Sequence, residues 1–203
     1  MGCIVEKGII SKDYYILTNN HVVGQNGKGT VKGTAIIQPS DTYGGTLNDT
    51  IAHVSDFVPI KFKTKFKSPI NYADCAIAKI TNKDLMINKM NKIINIGAIK
   101  GVNKPILNQS VKKTGFKTGL TSGYIQTMGV TTEIQFSKTE TAVFKEQIIL
   151  KLKGSPGDSG AVVLNNNNQV IGLLFGGSEQ TGQSIMSDIN VVLKKLGVKI
   201  YTG

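Results

Sequence analysis

Three residues of this 203-residue chain carry side chains that could act together on a carbonyl: His21, Asp74 and Ser159. Ser159 lies in Ser155-Pro156-Gly157-Asp158-Ser159-Gly160, just ahead of the strand-forming run Ala161-Val162-Val163-Leu164. Gly, Asp, Ser and Pro all favour tight turns, so the segment alone fits an ordinary turn as well as a nucleophile. A serine hydroxyl is nearly inert at neutral pH. It needs a base within hydrogen-bond reach, a group that orients the base, and N–H donors aimed at the developing oxyanion.

The chain has two histidines to supply the base, His21 and His53. His21 follows Tyr14-Tyr15-Ile16-Leu17-Thr18-Asn19-Asn20, an apolar run entering a polar turn that presents the ring. His53 sits in the alternating stretch Ile51-Ala52-His53-Val54, as one side of a strand, and reads as structural. An orienting carboxylate belongs beside a buried strand, where a histidine N–H can satisfy it. Asp74 opens the apolar stretch Cys75-Ala76-Ile77-Ala78-Lys79-Ile80 and fits that description, but it equally fits a turn residue capping a strand. Asp49 and Asp56, in polar or mixed settings, are rivals.

The elements that must position these residues are mostly strands. Short apolar or alternating segments recur between turns at 3–10, 14–18, 34–38, 75–80, 111–114, 122–126, 131–136, 146–152, 161–164 and 170–175, the pattern of a sandwich or barrel. The stretch 42–49, rich in Gly, Thr and Asn, reads as loop. One stretch reads as a helix: Ser187 or Asp188 caps it, Ile189, Val192, Leu193 and Leu196 share a face, and Gly197 stops it. A second short helix is expected near 82–91. A polar connection around 100–110, containing Pro105, marks a seam between two halves.

The formal net charge is +11, and all 24 basic residues are lysine. Arginine carries most bidentate recognition of phosphate and guanine, so its absence favours a solvated basic surface over a dedicated polyanion site. The densest stretch, Lys61-Phe62-Lys63-Thr64-Lys65-Phe66-Lys67, would as an edge strand put Lys on one face and Phe on the other. Cys3 and Cys75 form neither a metal pattern nor a disulfide framework. No apolar run reaches a membrane-spanning length, no signal peptide is evident, and Glu6 breaks a myristoylation pattern. Two free thiols without a signal peptide lead to the expectation of a cytoplasmic protein.

The order His21, Asp74, Ser159, at separations of 53 and 85 residues with strands between, resembles the chymotrypsin-like (trypsin-fold) serine peptidases. The Thr-Asn-Asn-His turn, the Asp-Cys-Ala-Ile-Ala strand and Gly-Asp-Ser-Gly carry the resemblance. Gly2-Cys3-Ile4-Val5, the stretch 38–59, the segment 113–123 and Gly172-Leu173-Leu174-Phe175-Gly176-Gly177-Ser178 are further similar to bacterial trypsin-like peptidases related to the plant narrow-leaf protease.

The resemblance implies an all-β fold of two packed antiparallel β-barrels with a short C-terminal helix. Residues 1–103 would form the barrel carrying His21 and Asp74, and 104–203 the barrel carrying Ser159. It implies a serine endopeptidase working through an acyl-enzyme, with His21 as base, Asp74 as its orienter and the amides of Gly157 and Ser159 as oxyanion hole. Lys153, Gly154, Thr121, Phe175, Gly176 and Gly177 would line the substrate pocket, with Lys153 near its base. No metal or organic cofactor is implied. The partners expected are a protein or peptide substrate in limited intracellular processing, no specific nucleic acid and no membrane span.

Relatives usually carry sequence before the Gly-Cys strand, so a first barrel strand is expected to be missing, truncated or supplied by a partner. Two rival classes are a catalytically inactive module that binds peptides by strand addition and a basic polyanion-binding protein.

Overall fold

The computed structural model describes residues 2–8, 13–81, 91–178 and 180–203. The helix expected near 82–91 and the end of the strand expected over 3–10 lie outside the described residues.

The strands form two principal sheets. In chain order the first half contributes β1 (Ile4–Lys7), β2 (Asp13–Thr18), a single helical turn α1 (Asn20–Val23), β3 (Ala35–Ile37), β4 (Thr50–Phe57), β5 (Ile70–Asn71), β6 (Ala76–Ile80), β7 (Lys92–Ile93) and β8 (Gly97–Ala98). The second contributes β9 (Ser110–Gly115), β10 (Gly119–Gln135), β11 (Thr141–Lys151), β12 (Val162–Asn165), β13 (Val170–Ser178), β14 (Gln183–Asp188), α2 (Ile189–Leu196) and β15 (Lys199–Ile200). One sheet runs β15-β1-β2-β6-β4-β3. The other runs β10-β9-β12-β13-β14-β11-β5 and closes on itself through β10 and β11. β7 and β8 form a separate small ribbon.

Two pairings cross between the halves of the chain. β5 runs parallel to β11, an exception to the antiparallel rule expected from the sequence. β15 pairs with β1 through Val5 and Glu6, so along those residues that edge is occupied by the C-terminal segment.

Alternation explains how the sheets bury their cores. Ile4, Ile16, Ala52, Ala78 and Ile80 fill the interior of the first sheet, and Val111, Ile125, Ile148, Leu150, Val163, Ile171 and Met186 that of the second. The opposite faces of β1, β2, β6, β12 and β13 meet in a third cluster, where Val5, Leu17, Ile77, Leu164 and Leu173 pack with Ile189, Val192 and Leu196 of α2. Each such side chain contributes about 1.5–3 kcal/mol by leaving water. This shared cluster fixes the strand end that carries the Asn-Asn-His turn against the strands flanking Ser159.

The helix starts and stops as its residues dictate. The Asp188 carboxylate accepts from the Asn190 amide at 2.8 Å, and Gly197, at φ 64°, takes the left-handed position that ends it. Ser187 does not cap: it is buried, its hydroxyl donating to Gln147 Oε1 at 2.8 Å. Asp188→Ala is expected to destabilise the fold by about 1 kcal/mol, read from the urea midpoint at constant m.

Two expectations change. The strands expected over 122–126 and 131–136 are one 17-residue strand, β10, whose pairing with β11 shifts register three times between Ile125 and Thr132. The lysine-rich stretch 61–67 is not a strand. The Thr64 amide donates to Lys67 O at 2.8 Å, making a turn that leaves Phe66 exposed. Phe62 instead packs on Phe136. The two rings therefore part ways, which regular alternation would have forbidden. Within 42–49 the loop tightens into short 3₁₀ turns at Asp41–Tyr43 and Leu47–Asp49.

Candidate active site

Thr18 ends β2, and the chain turns through Asn19 into α1, carrying His21 to the rim of a cleft of about 700 Å³. Asparagines hold that turn. The Asn19 amide nitrogen donates to Asp74 O at 2.7 Å, and the Asn20 side chain donates to Val58 O at 2.9 Å while accepting from Thr30 Oγ1 at 2.6 Å. Both asparagines are fully buried; the bonds engage both ends of the Asn20 amide, while Asn19 donates but its Oδ1 accepts from no partner among the described residues.

Asp74 is likewise fully buried, and each of its oxygens has a task. Oδ1 accepts from the amides of Asn20, at 2.7 Å, and His21, at 3.2 Å. Oδ2 lies in hydrogen-bond contact with His21 Nδ1. A proton on Nδ1, facing a carboxylate, leaves Nε2 as an acceptor. The rivals are engaged elsewhere: Asp49 caps its own turn, accepting from the Thr46 amide at 2.8 Å, and Asp56 pairs with Lys32 at 3.1 Å. The Thr46 amide and hydroxyl hold the Asp49 carboxyl below its usual range. His53 stands in β4, opposite Ala35 and Lys79 in the neighbouring strands, and does not line the cleft.

Ser159 lines the same cleft as His21. Its loop is bent by Gly157, at φ 105°, and Gly160, at φ 85°. The Asp158 amide donates to Ser155 O, that of Ala161 to Asp158 O, and that of Gly160 to Leu174 O, at 2.9 to 3.0 Å. Among the described residues the amides of Gly157 and Ser159 donate to no protein acceptor. Two N–H groups of the loop that carries Ser159 are thus left without a protein acceptor, the kind of donor an oxyanion needs.

The loop is locked by a residue absent from the sequence-based candidates. Lys113 of β9 is fully buried, and its ammonium donates to Asp158 Oδ2 at 3.0 Å, to Thr118 Oγ1 and to Gly119 O at 3.3 Å. Asp158 accepts further bonds from the Lys117 and Thr118 amides, at 2.8 and 3.1 Å, from Thr118 Oγ1 at 2.7 Å and from the Ser155 amide at 3.2 Å. Burial pushes the Asp158 carboxyl up, but the Thr118 hydroxyl, Lys113 and the two amides outweigh it and hold it below the usual carboxylate range. The signal for Lys113 was its register: it shares the inward face of β9 with Val111.

Of the pocket residues expected, Phe175, Gly176 and Gly177 line the cleft. Gly154 is buried beneath it, and Lys153 and Thr121 are outside its lining, the Thr121 hydroxyl donating to Lys153 O at 3.0 Å. The far wall comes from β10, including Thr132 and Gln135, and from Phe136 just after it, which stands edge-on to His21 at 5.7 Å between ring centroids.

The cysteines stand apart from this chemistry. Both are buried; burial pushes the Cys3 thiol up to about 12, and burial with the neighbouring Asp74 charge raises that of Cys75 further. Neither is expected to react with iodoacetamide at pH 8 in the native protein, while both should after unfolding in urea, counted by mass spectrometry.

A family model described as a trypsin-like peptidase domain matches residues 2–173. No curated protein matches the sequence. Among solved structures, Protease A of Thermobifida fusca is 20% identical, with a TM-score of 0.68 over 100% of this chain and 91% of that one. The chymotrypsin of Cellulomonas bogoriensis is 17% identical, with a TM-score of 0.65 over 100% and 90%, and a Nocardiopsis protease 17%, with 0.66 over 99% and 92%. At such identities the likeness is one of fold: mostly β, chymotrypsin-like, with two β-sheet domains and a short C-terminal helix.

Proposed function

The chain belongs to the trypsin-like peptidase family, and from that premise we propose that it is a serine endopeptidase whose nucleophile is Ser159. The observation that carries the proposal is the buried Asp74 carboxylate on His21 Nδ1, which directs Nε2 to a cleft that Ser159 also lines.

The Ser159 hydroxyl oxygen attacks the substrate carbonyl carbon while its proton passes to His21 Nε2, and the oxyanion forms within reach of the Gly157 and Ser159 amides. Asp74 holds the ring and stabilises its protonated form. The tetrahedral intermediate collapses as the C–N bond breaks and His21 gives the proton to the departing amine. Water, deprotonated by His21, then attacks the acyl-enzyme ester and releases the acid with Ser159 restored. Every proton and bond in this cycle is served by groups of the chain, so the cycle calls for no metal or organic cofactor.

The extended strand end at Gly176–Ser178 fits a substrate bound as an added strand. Limited processing of intracellular protein targets in the cytoplasm, by a peptidase related to those near the plant narrow-leaf protease, is the finer assignment. Two free, buried thiols support the reducing compartment. Among the described residues no helix is long and apolar enough to cross a membrane.

The test is labelling with a fluorophosphonate probe, which reports an activated serine without a known substrate. Labelling of the parent protein, lost in Ser159→Ala and His21→Ala, is the expected result. No labelling of the folded parent would overturn the proposal in favour of an inactive peptide-binding module.

A further inference from the structure

Beside Ser159 the cleft is lined by Ser155 and Pro156 on one side and by Phe175, Gly176 and Gly177 on the other, with Gly154 buried beneath, so the side chain of a residue whose carbonyl meets Ser159 enters between these two segments. Just below the cleft these two walls are already together. A Cβ built on Gly177 would lie 3.3 and 3.4 Å from the Gly154 carbonyl carbon and oxygen, so no layer of atoms fits between the two backbones. What remains is filled from β14 by Ser184. Its Oγ lies 2.4 Å from where a Cβ of Gly154 would stand and 3.0 Å from that of Gly177, and it donates to Leu152 O at 2.9 Å. Ser184 is fully buried and Gly154 is buried, so together they close the slot beneath its mouth.

We propose that this peptidase cleaves after residues with small side chains, glycine, alanine or serine, and that Ser184 is the specificity-determining residue that closes the slot. The inference rests on the serine peptidase assignment of the same site. An aromatic ring or a lysine stem would have to force apart two backbones in contact and break the Ser184–Leu152 bond, stranding a buried carbonyl. An acidic side chain gains no cation there, since Lys153 is exposed and outside the cleft lining. Selection among substrates then falls to residues upstream of the scissile bond, where the cleft is roomy between β10 and Gly176–Ser178.

Peptidyl diphenyl phosphonates with one leader sequence and a terminal Ala, Val, Phe, Lys or Glu analogue test this, each timed for its ability to block fluorophosphonate labelling of Ser159. The Ala compound is expected to inactivate at least about tenfold faster than the Phe, Lys and Glu compounds. In Ser184→Gly the Val compound should gain about tenfold relative to Ala. Failure of the probe to label the parent removes the peptidase assignment itself. Labelling blocked fastest by a large or charged compound, or by none, leaves that assignment standing and overturns the small-residue slot, whether or not the Ser184 variant folds.

Discussion

Replacing Ser159 by alanine is expected to lower kcat on a cleavable peptide by about 10⁶-fold, and His21→Ala to do nearly the same, with the double variant little worse than either. In the proposed mechanism the two side chains perform one act. A base with no hydroxyl to deprotonate is idle, and so is a hydroxyl with no base beside it. Asp74→Asn should cost less, about 10⁴-fold, and the local hydrogen bonds say why. Oδ1 already accepts from the Asn20 and His21 amides, so an asparagine must turn its oxygen to them and its NH₂ to the ring. The imidazole can then only accept through Nδ1, its proton moves to Nε2, and Nε2 can no longer take the proton that the proposed mechanism asks of it. Steady-state kinetics with circular dichroism spectra as a fold control measure all four variants. Losses that simply multiply in the double variant would mean that Ser159 and His21 act separately.

The candidate site was legible in the sequence where a side chain's neighbours in the chain are also its neighbours in space. The Thr-Asn-Asn-His turn and Gly-Asp-Ser-Gly are local: backbone geometry there is dictated by Gly157, Gly160 and the buried asparagines. Asp74 was ambiguous because a strand-capping aspartate and a histidine partner look alike until the fold brings residues 53 apart into contact. The pocket was least legible. Whether Lys153 or Ser184 meets a substrate depends on how β14 packs under the segment 154–156, a contact made across about 30 residues of chain. The run 61–67 shows the same limit for secondary structure. Its alternation predicts a strand, but Phe62 packs on Phe136, 74 residues on, and the chain turns at Thr64–Lys67, contacts that the local pattern does not encode.

Lys113 shows how a local pattern could have been pressed further. A lysine on the inward face of β9 would strand a buried ammonium without a partner, at a cost of several kcal/mol, so its presence demands a carboxylate. Asp158, next to Ser159, is that carboxylate. Asp158→Asn is therefore expected to destabilise the fold by about 3–5 kcal/mol, because it leaves Lys113 charged and buried and turns an NH₂ toward donors already pointing inward from Lys117 and Thr118. Lys113→Met should cost less, since four other donors remain on the carboxylate, and the two substitutions together should cost less than their sum. The acid limb follows from the sign of the shift. The native carboxyl is held below its ordinary value, so its stabilisation is complete above the unfolded carboxylate range and is lost as the pH falls through the lower native value. Urea midpoints from pH 7 downward should show the gap between Asp158→Asn and the parent narrowing in acid. Because the same carboxylate anchors the Ser155 amide and the hairpin turn beneath Gly157, folded Asp158→Asn should also lose about 10²–10³ in kcat if the Gly157 and Ser159 amides hold the oxyanion as proposed. A variant with parental turnover and a lowered midpoint would confine the Lys113–Asp158 pair to holding the fold.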